Sequence, residues 1–397
     1  MNRSSYRTLL VVLLLSTTAQ VSAQNLLGQD SLRTITTAMP FLTIAPDARA
    51  GALGDAGVST SADINSLYWN PAKMAYLEKY FGFAVSYTPW LRGLTGINDV
   101  YLAYLSGYYK INERSTVSGA LNYFNLGNIQ FTDNVGAPGI QFTPRELSIT
   151  AGYAQQLGDR LSVGVGVKFI NSNLAGQSFN VAGGGNSARP ANGAAADIGV
   201  FYTNDDMALG GSPLTLNFGA SITNLGPKVT YSSQEDNDFL PTTLRLGVSP
   251  TFEIDPYNSL SLVLEASKLL VPTPPVRDRN GTIVRGQDPD RGFFSGVFSS
   301  FSDAPDGSSE ELREFMLSAG VEYWYNDLFA ARAGYFHENN LKGGRQYFSV
   351  GAGLRYQLFG VDFAYLVPLE DNHPLAETLR FTLHFEFERG ANTGAGS

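Results

Sequence analysis

Histidine, serine and carboxylate side chains are the groups in this chain that could carry out catalysis. Of the three histidines among 397 residues, His384 alternates with Glu386 and Arg380 along one segment, and a histidine beside a carboxylate can act as a general base. The sequence has neither a G-x-S-x-G nucleophile elbow nor an H-E-x-x-H zinc motif. We therefore interpret His384 as part of a polar network and expect no enzymatic activity. His337 and His373 fall at strand ends or in loops.

Cysteine content and net charge exclude further classes of protein. The chain has no Cys, which excludes a disulfide framework, Cys-ligated zinc and a thiol nucleophile. It has 36 acidic and 27 basic residues, a formal net charge of −9, and such a balance repels nucleic-acid phosphates. We expect no metal, no cofactor and no nucleic-acid partner.

The first residues have the organisation of a cleaved signal peptide. Arg3 and Arg7 precede the apolar run 9–15, and the small residues Val21-Ser22-Ala23 precede Gln24. The apolar run is much shorter than the roughly 20 residues of a spanning helix. Residues 1–23 are therefore predicted to be removed during export from the cytoplasm.

The rest of the chain alternates in hydropathy with a period of two, which places one set of side chains on each face of a strand. The last segment is the clearest case, because apolar and polar residues exchange at every position. Its apolar set is Leu379, Phe381, Leu383, Phe385 and Phe387. Its polar set is Arg380, Thr382, His384, Glu386 and Glu388.

Fourteen segments follow this pattern, most of them about ten residues long, as a tilted strand that crosses the hydrocarbon layer requires. They cover approximately residues 81–88, 100–110, 115–124, 145–156, 161–171, 194–204, 214–224, 242–252, 258–270, 314–325, 328–337, 346–357, 359–368 and 378–388. Short connections such as 111–114, 158–160, 254–257 and 326–327 alternate with long ones such as 125–144, 172–193, 226–241 and 271–312. Short periplasmic turns and long extracellular loops are typical of outer-membrane barrels, so we predict a closed 14-stranded antiparallel transmembrane β-barrel.

A soluble β-sandwich, jelly roll or β-propeller is the alternative, because its strands also alternate. Sandwich strands are usually shorter, and their loops do not alternate between short and long. Aromatic residues near the ends of the segments also favour a membrane barrel, in which they form girdles at the two interfaces. They include Tyr87, Trp90, Tyr101, Tyr108, Tyr109, Tyr123, Trp324, Tyr325, Phe329, Tyr356 and Phe359.

Residues 24–80 precede the first strand, do not alternate, and carry the motifs of a known family. Residues 40–58 read P-F-L-T-I-A-P-D-A-R-A-G-A-L-G-D-A-G-V, residues 68–72 read Y-W-N-P-A, and Y-T-P-W and I-N-E-R follow at 87–90 and 111–114. With these motifs the sequence resembles the PorV family, also called LptO, of outer-membrane proteins of the type IX secretion system of Bacteroidota. The resemblance extends more weakly along the barrel, including K-F-I-N-S-N-L at 168–174.

The resemblance implies a FadL-like barrel with an N-terminal hatch, and a role in protein export. PorV-like proteins associate with the SprA translocon barrel, receive cargo through its C-terminal signal domain, and pass it to an attachment complex that contains the PorU sortase. The family resemblance therefore implies these partners, together with outer-membrane lipid and a location in the outer membrane. A link of the family to lipopolysaccharide deacylation is then indirect, through export of a separate deacylase.

The expected organisation is a signal peptide at 1–23, a hatch or plug at 24–80, the barrel at 81–388 and a flexible tail at 389–397. In the plug, Gly51, Gly54 and Gly57 permit close packing, and their spacing is not a nucleotide fingerprint because no βαβ unit surrounds them. Charged plug residues should meet charges that face the lumen. The plug charges are Asp47, Arg49 and Asp55, and the expected lumenal partners are Arg245, Glu265, Lys168 and Arg380.

The longest connection, 271–312, contains an aromatic cluster between the charged stretches 277–291 and 310–313. The cluster comprises Phe293, Phe294, Val297, Phe298 and Phe301. Exposed apolar residues in a long loop are typical of a binding surface, so one hypothesis is contact with translocon or cargo. The other is a small helix that caps the mouth of the barrel.

Three functions remain open from the sequence. The resemblance favours an escort that binds cargo at the translocon. The alternative is FadL-like transport of hydrophobic small molecules, in which the plug moves to admit a ligand. A membrane hydrolase is the third and lacks an identifiable nucleophile.

Overall fold

The structure, a computed structural model, describes residues 33–90, 99–132, 138–174, 189–231, 237–369 and 378–388. The predicted signal peptide, the predicted C-terminal tail and His373 lie outside these residues. Within the described ranges, no helix has the length and apolar character needed to cross a bilayer.

Fourteen antiparallel strands form a closed barrel in which each strand pairs with its neighbours in the chain. The last strand pairs with the first, from Phe81 opposite Phe387 to Tyr87 opposite Phe381. The predicted 14-stranded barrel is therefore confirmed. The strands are β1 Phe81–Pro89, β2 Val100–Asn112, β3 Ser115–Leu126, β4 Arg145–Gln156, β5 Leu161–Asn173, β6 Ala191–Leu209, β7 Ser212–Leu225, β8 Thr243–Asp255, β9 Asn258–Leu269, β10 Met316–Tyr325, β11 Phe329–His337, β12 Gln346–Tyr356, β13 Phe359–Pro368 and β14 Leu379–Phe387.

The apolar set of each strand forms the outer wall, and the polar set faces the lumen. In β14, Phe381 and Leu383 are 44% and 42% exposed, whereas Arg380 and Thr382 are buried. In water such an exposed apolar wall would be unstable, but in a bilayer it faces acyl chains while the closed sheet satisfies its backbone hydrogen bonds. The orientation predicted from the alternation is confirmed.

Among the aromatic residues of the predicted girdles, Tyr108 and Trp324 face the lumen instead. Tyr108 is 5% exposed and donates a hydrogen bond to Glu386, whereas Tyr109 is 47% exposed. Trp324 lines an internal cavity, and Tyr325 is exposed. Consecutive residues of a strand point to opposite faces, so only one member of each pair can reach the membrane interface.

The connections at one end of the barrel, here called the turn end, are short, and those at the other, the loop end, are longer. The strand predicted at 194–204 is longer in the structure, because β6 continues to Leu209 and turns through Gly210 and Gly211 into β7. Both glycines have positive φ, 64° and 95°, as a tight two-residue hairpin requires. The Gly-Gly pair was the available sequence signal for this turn.

Residues 33–80, here called the plug segment, run from the loop end through the lumen to the start of β1. They contain two short α-helices, α1 Ala48–Gly51 and α2 Ser66–Trp69, and two 3-10 helices, Pro40–Thr43 and Pro71–Tyr76. Asp47 caps α1 by accepting a hydrogen bond from the Ala50 amide at 2.9 Å. Near the loop end, Met39, Phe41 and Leu42 pack with barrel residues in the largest hydrophobic cluster.

The connection between β9 and β10 has structure of its own at the loop end. It contains a small hairpin, Val276–Arg277 with Ile283–Arg285, and two helices, α3 Phe293–Ser299 and α4 Ser308–Arg313. A second hairpin, Ile129–Thr132 with Pro138–Phe142, lies between β3 and β4. We refer to residues 270–315 as the mouth loop.

Candidate functional site

Lumenal glycines let the plug segment approach the barrel backbone closely. A Cβ at Gly334 would overlap the amide nitrogen of Gly54, and one at Gly219 would overlap the carbonyl oxygen of Val58. Gly54 itself has φ +73°, a conformation that favours glycine. The lumenal glycines that meet the plug segment in this way are Gly152, Gly164, Gly199, Gly219, Gly247, Gly320, Gly334 and Gly351.

Among the charged plug residues, Asp55 forms an ion pair with the barrel residue Arg380. Arg380 lies on β14 and its guanidinium binds the Asp55 carboxylate. The Tyr347 hydroxyl donates a further hydrogen bond to Asp55 at 2.6 Å. Arg380 is 1% exposed, so the pair joins the plug segment to the far end of the chain away from water.

Arg49 binds Glu322, which is not among the partners expected from the sequence. The Arg49 Nε and Nη2 atoms donate to the two Glu322 oxygens at 3.0 and 2.7 Å, a two-point geometry that is strong for a charged pair. Arg49 also pairs with Asp63 within the plug segment at 2.9 Å. Glu322 in turn accepts from Arg332 Nε at 2.5 Å, and Arg332 reaches Asp362 at 2.7 Å.

These missed residues were visible in the sequence as charges at lumen-facing positions. Glu322 lies on β10, Arg332 on β11 and Asp362 on β13, and all three are less than 5% exposed. Their strand alternation places them in the lumen. The alternation does not predict which charged residue of the plug segment lies beside them.

The remaining predicted plug and lumen residues have other partners. Asp47 accepts from the Trp69 indole at 2.7 Å, and Arg245 donates to Thr223 at 2.8 Å and lies 5.4 Å from the Trp69 ring centre. Glu265 accepts from the amides of Gly57 and Val58 at 2.8 and 2.9 Å, and its carboxylate is 3.7 Å from Arg245. Lys168 pairs with the barrel residue Asp197 at 3.3 Å. Arg245 and Glu265 therefore support the plug segment, whereas the ion pair of Lys168 is with the wall.

His384 lines a polar cavity of about 450 Å³ near the turn end. Its ring nitrogens lie 3.7 Å from Asp362 and 3.5 Å from Glu386. Trp324 forms another part of the lining, beneath the guanidinium groups of Arg332 and Arg355. Within the described residues, no group of three or more His, Asp or Glu side chains is arranged to hold a metal ion.

The aromatic cluster of the mouth loop forms the short helix α3 and a surface beside it. Phe294 and Phe298 are 67% and 75% exposed, and Phe301 is 47% exposed; we call these three side chains the aromatic surface. Phe293 is partly buried and contacts Phe294, with ring centres 5.0 Å apart. Val297 is 5% exposed, so it supports the helix and does not belong to the surface.

The inner side of α3 is held by contacts that leave no room for larger side chains. A Cβ at Gly296 would lie 2.5 Å from the Phe239 ring. Lys228 Nζ lies 4.5 Å above the same ring. These contacts anchor one side of α3, while Phe294 and Phe298, four residues apart, project from the other.

Carboxylates at the base of the mouth loop have shifted pKa values. Burial raises the pKa of Asp303 to about 6, against the lowering effect of a hydrogen bond from the Thr273 amide. Burial also tends to raise the pKa of Glu310, but hydrogen bonds from Arg33 and Lys342 outweigh it and hold that pKa at about 2. Glu310 is therefore ionised at neutral pH.

The closed sheet, the apolar outer wall and the occupied lumen define the chain as an outer-membrane β-barrel protein. Residues 27–276 match the family model of type IX secretion system protein PorV. The chain belongs to this family and is an outer-membrane component of type IX secretion, as the sequence resemblance predicted. No curated protein matches the sequence.

Solved structures with a similar fold include FadL-like barrels. The deltaS2S3 mutant of the monoaromatic hydrocarbon channel TodX is 14% identical, with 86% of this chain and 99% of that chain covered and a TM-score of 0.50. A FadL homologue of Pseudomonas aeruginosa is 13% identical, with 90% and 100% covered and a TM-score of 0.45. The toluene transporter TbuX of Ralstonia pickettii is 13% identical, with 87% and 98% covered and a TM-score of 0.46. At these identities the likeness concerns the fold.

Proposed function

We propose that this protein is an escort of type IX secretion: it binds cargo with C-terminal signal domains at an SprA-like translocon and transfers it to a PorU-like sortase complex. Membership of the PorV family supports the secretion role. Short turns lie in the periplasm and longer loops outside in barrels of this class. By that rule the mouth loop projects from the cell surface.

The observation that carries the proposal is the aromatic surface. Phe294 and Phe298 are 67% and 75% exposed on a helix whose opposite side packs against Phe239, in the connection between β7 and β8. Exposed aromatic rings on a held helix lose little side-chain entropy on binding and can supply a large part of the affinity of an interface. We assign them to the contact with translocon or cargo.

The arrangement of the lumen favours an escort over FadL-like transport of small hydrophobic molecules. The plug segment touches lumenal glycines of several strands and is joined to the wall by buried ion pairs. Moving it would separate Arg49 from Glu322 and Arg380 from Asp55 inside the barrel, where unpaired charges are costly. A stationary plug is compatible with cargo that is bound at the mouth.

The test is a double substitution, Phe294→Asp with Phe298→Asp, in the full chain in its native outer membrane. We expect about 30-fold or greater weakening of partner binding, since two central aromatic contacts each contribute on the order of 1–2 kcal/mol. A pull-down in mild detergent, quantified by mass spectrometry, measures recovery of translocon, sortase and cargo. The amount of cargo attached to the cell surface gives a second readout.

The matched control introduces the same two charges at exposed polar positions of the same loop outside α3, Asn280→Asp with Thr282→Asp. It should retain wild-type recovery. If the phenylalanine variant recovers all partners at wild-type levels, the aromatic surface is not the contact. Recovery of the barrel alone from wild-type membranes, together with copurified fatty acid, would instead favour hydrophobic transport.

A further inference from the structure

A buried cluster of charges at the base of the mouth loop joins four parts of the chain. We call it the mouth cluster. Its cations come from the plug segment, β9 and the connection between β11 and β12, and its anions come from the mouth loop. The cations are Arg33, Lys268 and Lys342, and the anions are Asp306, Glu310, Glu311 and Glu314.

Arg33 is the contribution of the plug segment to this cluster. Its Nε and Nη2 atoms donate to the two oxygens of Glu310 at 2.8 and 3.0 Å, and Nη2 also binds Asp306. The Arg33 amide donates to the carbonyl of Leu341 at 3.2 Å. Both the side chain and the backbone of this residue are therefore attached at the mouth.

The cluster has four carboxylates and three cations, so the loss of any cation increases its excess of negative charge. Lys342 binds Glu310 and Glu314 at 2.6 and 2.8 Å, and Lys268, fully buried, binds Glu311 and Glu314. Without Arg33 the same four carboxylates would face the two lysines and Arg285, a largely exposed residue that binds only Asp306. A buried carboxylate that loses one partner is strongly destabilised relative to the paired state.

Contacts within the mouth loop connect the cluster to the aromatic surface. Glu310 accepts a hydrogen bond from the Asp306 amide at 2.9 Å, and Glu311 accepts from the Ala304 amide at 2.8 Å. These amides lie three to five residues after Phe301 in the chain. The carboxylates that bind the cations thus also hold the backbone segment that leads out of α3.

From this arrangement we propose that Arg33 is a positioning residue, which holds the aromatic surface in place through Glu310. The plug segment then has a role outside the lumen, because its first described residue holds the mouth loop. The proposal rests on the function proposed above for the aromatic surface. Its consequence is that partner binding requires an attached plug segment.

Two substitutions of similar length separate charge from size at this position. Arg33→Met removes the positive charge, and Arg33→Lys keeps it while losing the two-point contact with Glu310. In the purified full chain, hydrogen exchange of residues 293–315 should rise at least about tenfold in the Met variant. The Lys variant should stay within about threefold of wild type, since the charge is retained.

Arg285→Met is the matched control, because Arg285 also binds Asp306 but is largely exposed. It should leave the exchange of the mouth loop unchanged. Exchange of the barrel strands reports on folding in every variant, so a variant that does not fold is recognised directly. Wild-type exchange at residues 293–315 in the folded Met variant would overturn the proposal.

Partner recovery distinguishes this inference from the function on which it rests. If Arg33→Met loosens the mouth loop and also lowers partner recovery, both are supported. If it loosens the loop while recovery stays at the wild-type level, the positioning role is supported and the proposed use of the aromatic surface fails. An unchanged loop overturns the positioning role, whatever the phenylalanine variants do.

Discussion

Glu322 is the residue through which charges of the plug segment and the barrel wall meet. It accepts hydrogen bonds from Arg49 of the plug segment and from Arg332 of β11, and each of the three side chains is nearly inaccessible to solvent. Removing such charges from water costs several kcal/mol per ion, which the paired geometry offsets. The benefit is specificity, because another placement of the plug segment would leave these charges unpaired.

Glu322→Gln should therefore destabilise the protein far more than loss of an exposed ion pair. The substitution replaces the carboxylate that two buried guanidinium groups share by a neutral amide, and leaves Arg49 with Asp63 and Arg332 with Asp362. We expect the free energy of unfolding to fall by about 3 kcal/mol, at the lower end of the range for a broken buried ion pair. A denaturant titration in detergent, followed by tryptophan fluorescence, measures the shift in midpoint.

Lys79→Ala is the comparison, because Lys79 pairs with Glu388 at the protein surface. Such exposed pairs contribute little, so its midpoint should match that of wild type. Equal midpoints for the Glu322 and Lys79 variants would contradict the view that the lumenal network holds the plug segment in place.

At the level of elements, glycines on the lumenal face of the β-strands leave room for the irregular plug segment to pack against the strands. The polar face of a barrel strand ordinarily carries side chains that fill the lumen. Here Gly320 of β10 and Gly334 of β11 leave space that Leu53 and Gly54 occupy. The plug segment consequently packs against backbone, where even a small side chain would interfere.

Gly334→Val should displace the plug segment without preventing closure of the barrel. The new side chain would overlap the backbone at residues 53 and 54, and overpacking of this kind typically costs 1–3 kcal/mol. Limited trypsin digestion should then cleave at Arg49 and Lys73, which are buried in the native protein. Cleavage is followed by mass spectrometry.

Gly158→Val provides the control, since a Cβ at Gly158 has no neighbour within 4 Å. This variant should resist trypsin at the two buried sites as wild type does. Protection of Arg49 and Lys73 from trypsin in the Gly334 variant would show that the contact of Gly334 with the plug segment is not required to hold that segment in place.

At the scale of the whole molecule, the escort and transport functions differ in whether the plug segment moves. Asn65 of the plug segment and Ser106 of β2 are both buried, and the Ser106 hydroxyl donates to Asn65 at 2.9 Å. The chain has no native Cys. A disulfide between cysteines introduced at these two positions would be the sole disulfide of the chain and would lock the plug segment to the wall.

We expect the oxidised double variant, Asn65→Cys with Ser106→Cys, to export cargo at the wild-type rate. A stationary plug gains nothing from freedom to move, whereas a gated channel would be blocked by the disulfide. Cargo on the cell surface is measured before and after reduction, with each single cysteine variant as control. Export that is lost on oxidation and restored by reductant would show that the plug segment must move.

Local alternation was enough to predict the strand number, the outward apolar face and the rhythm of turns and loops. Each of these follows from the period of two along a single strand, which depends on nearby residues. The motifs at residues 40–58 and 68–72 also led to the correct family. The alternation also indicates that Trp324 faces the lumen, because its neighbour Tyr325 occupies the outward position.

Only closure of the barrel decides which distant residues meet. Arg49 and Glu322 are 273 positions apart in sequence, and Arg33 and Glu310 are 277 apart. Many lumenal carboxylates are chemically equivalent partners for an arginine, so residue type alone cannot select among them. The selection comes from the register of fourteen strands and from the path that their glycines leave open for the plug segment.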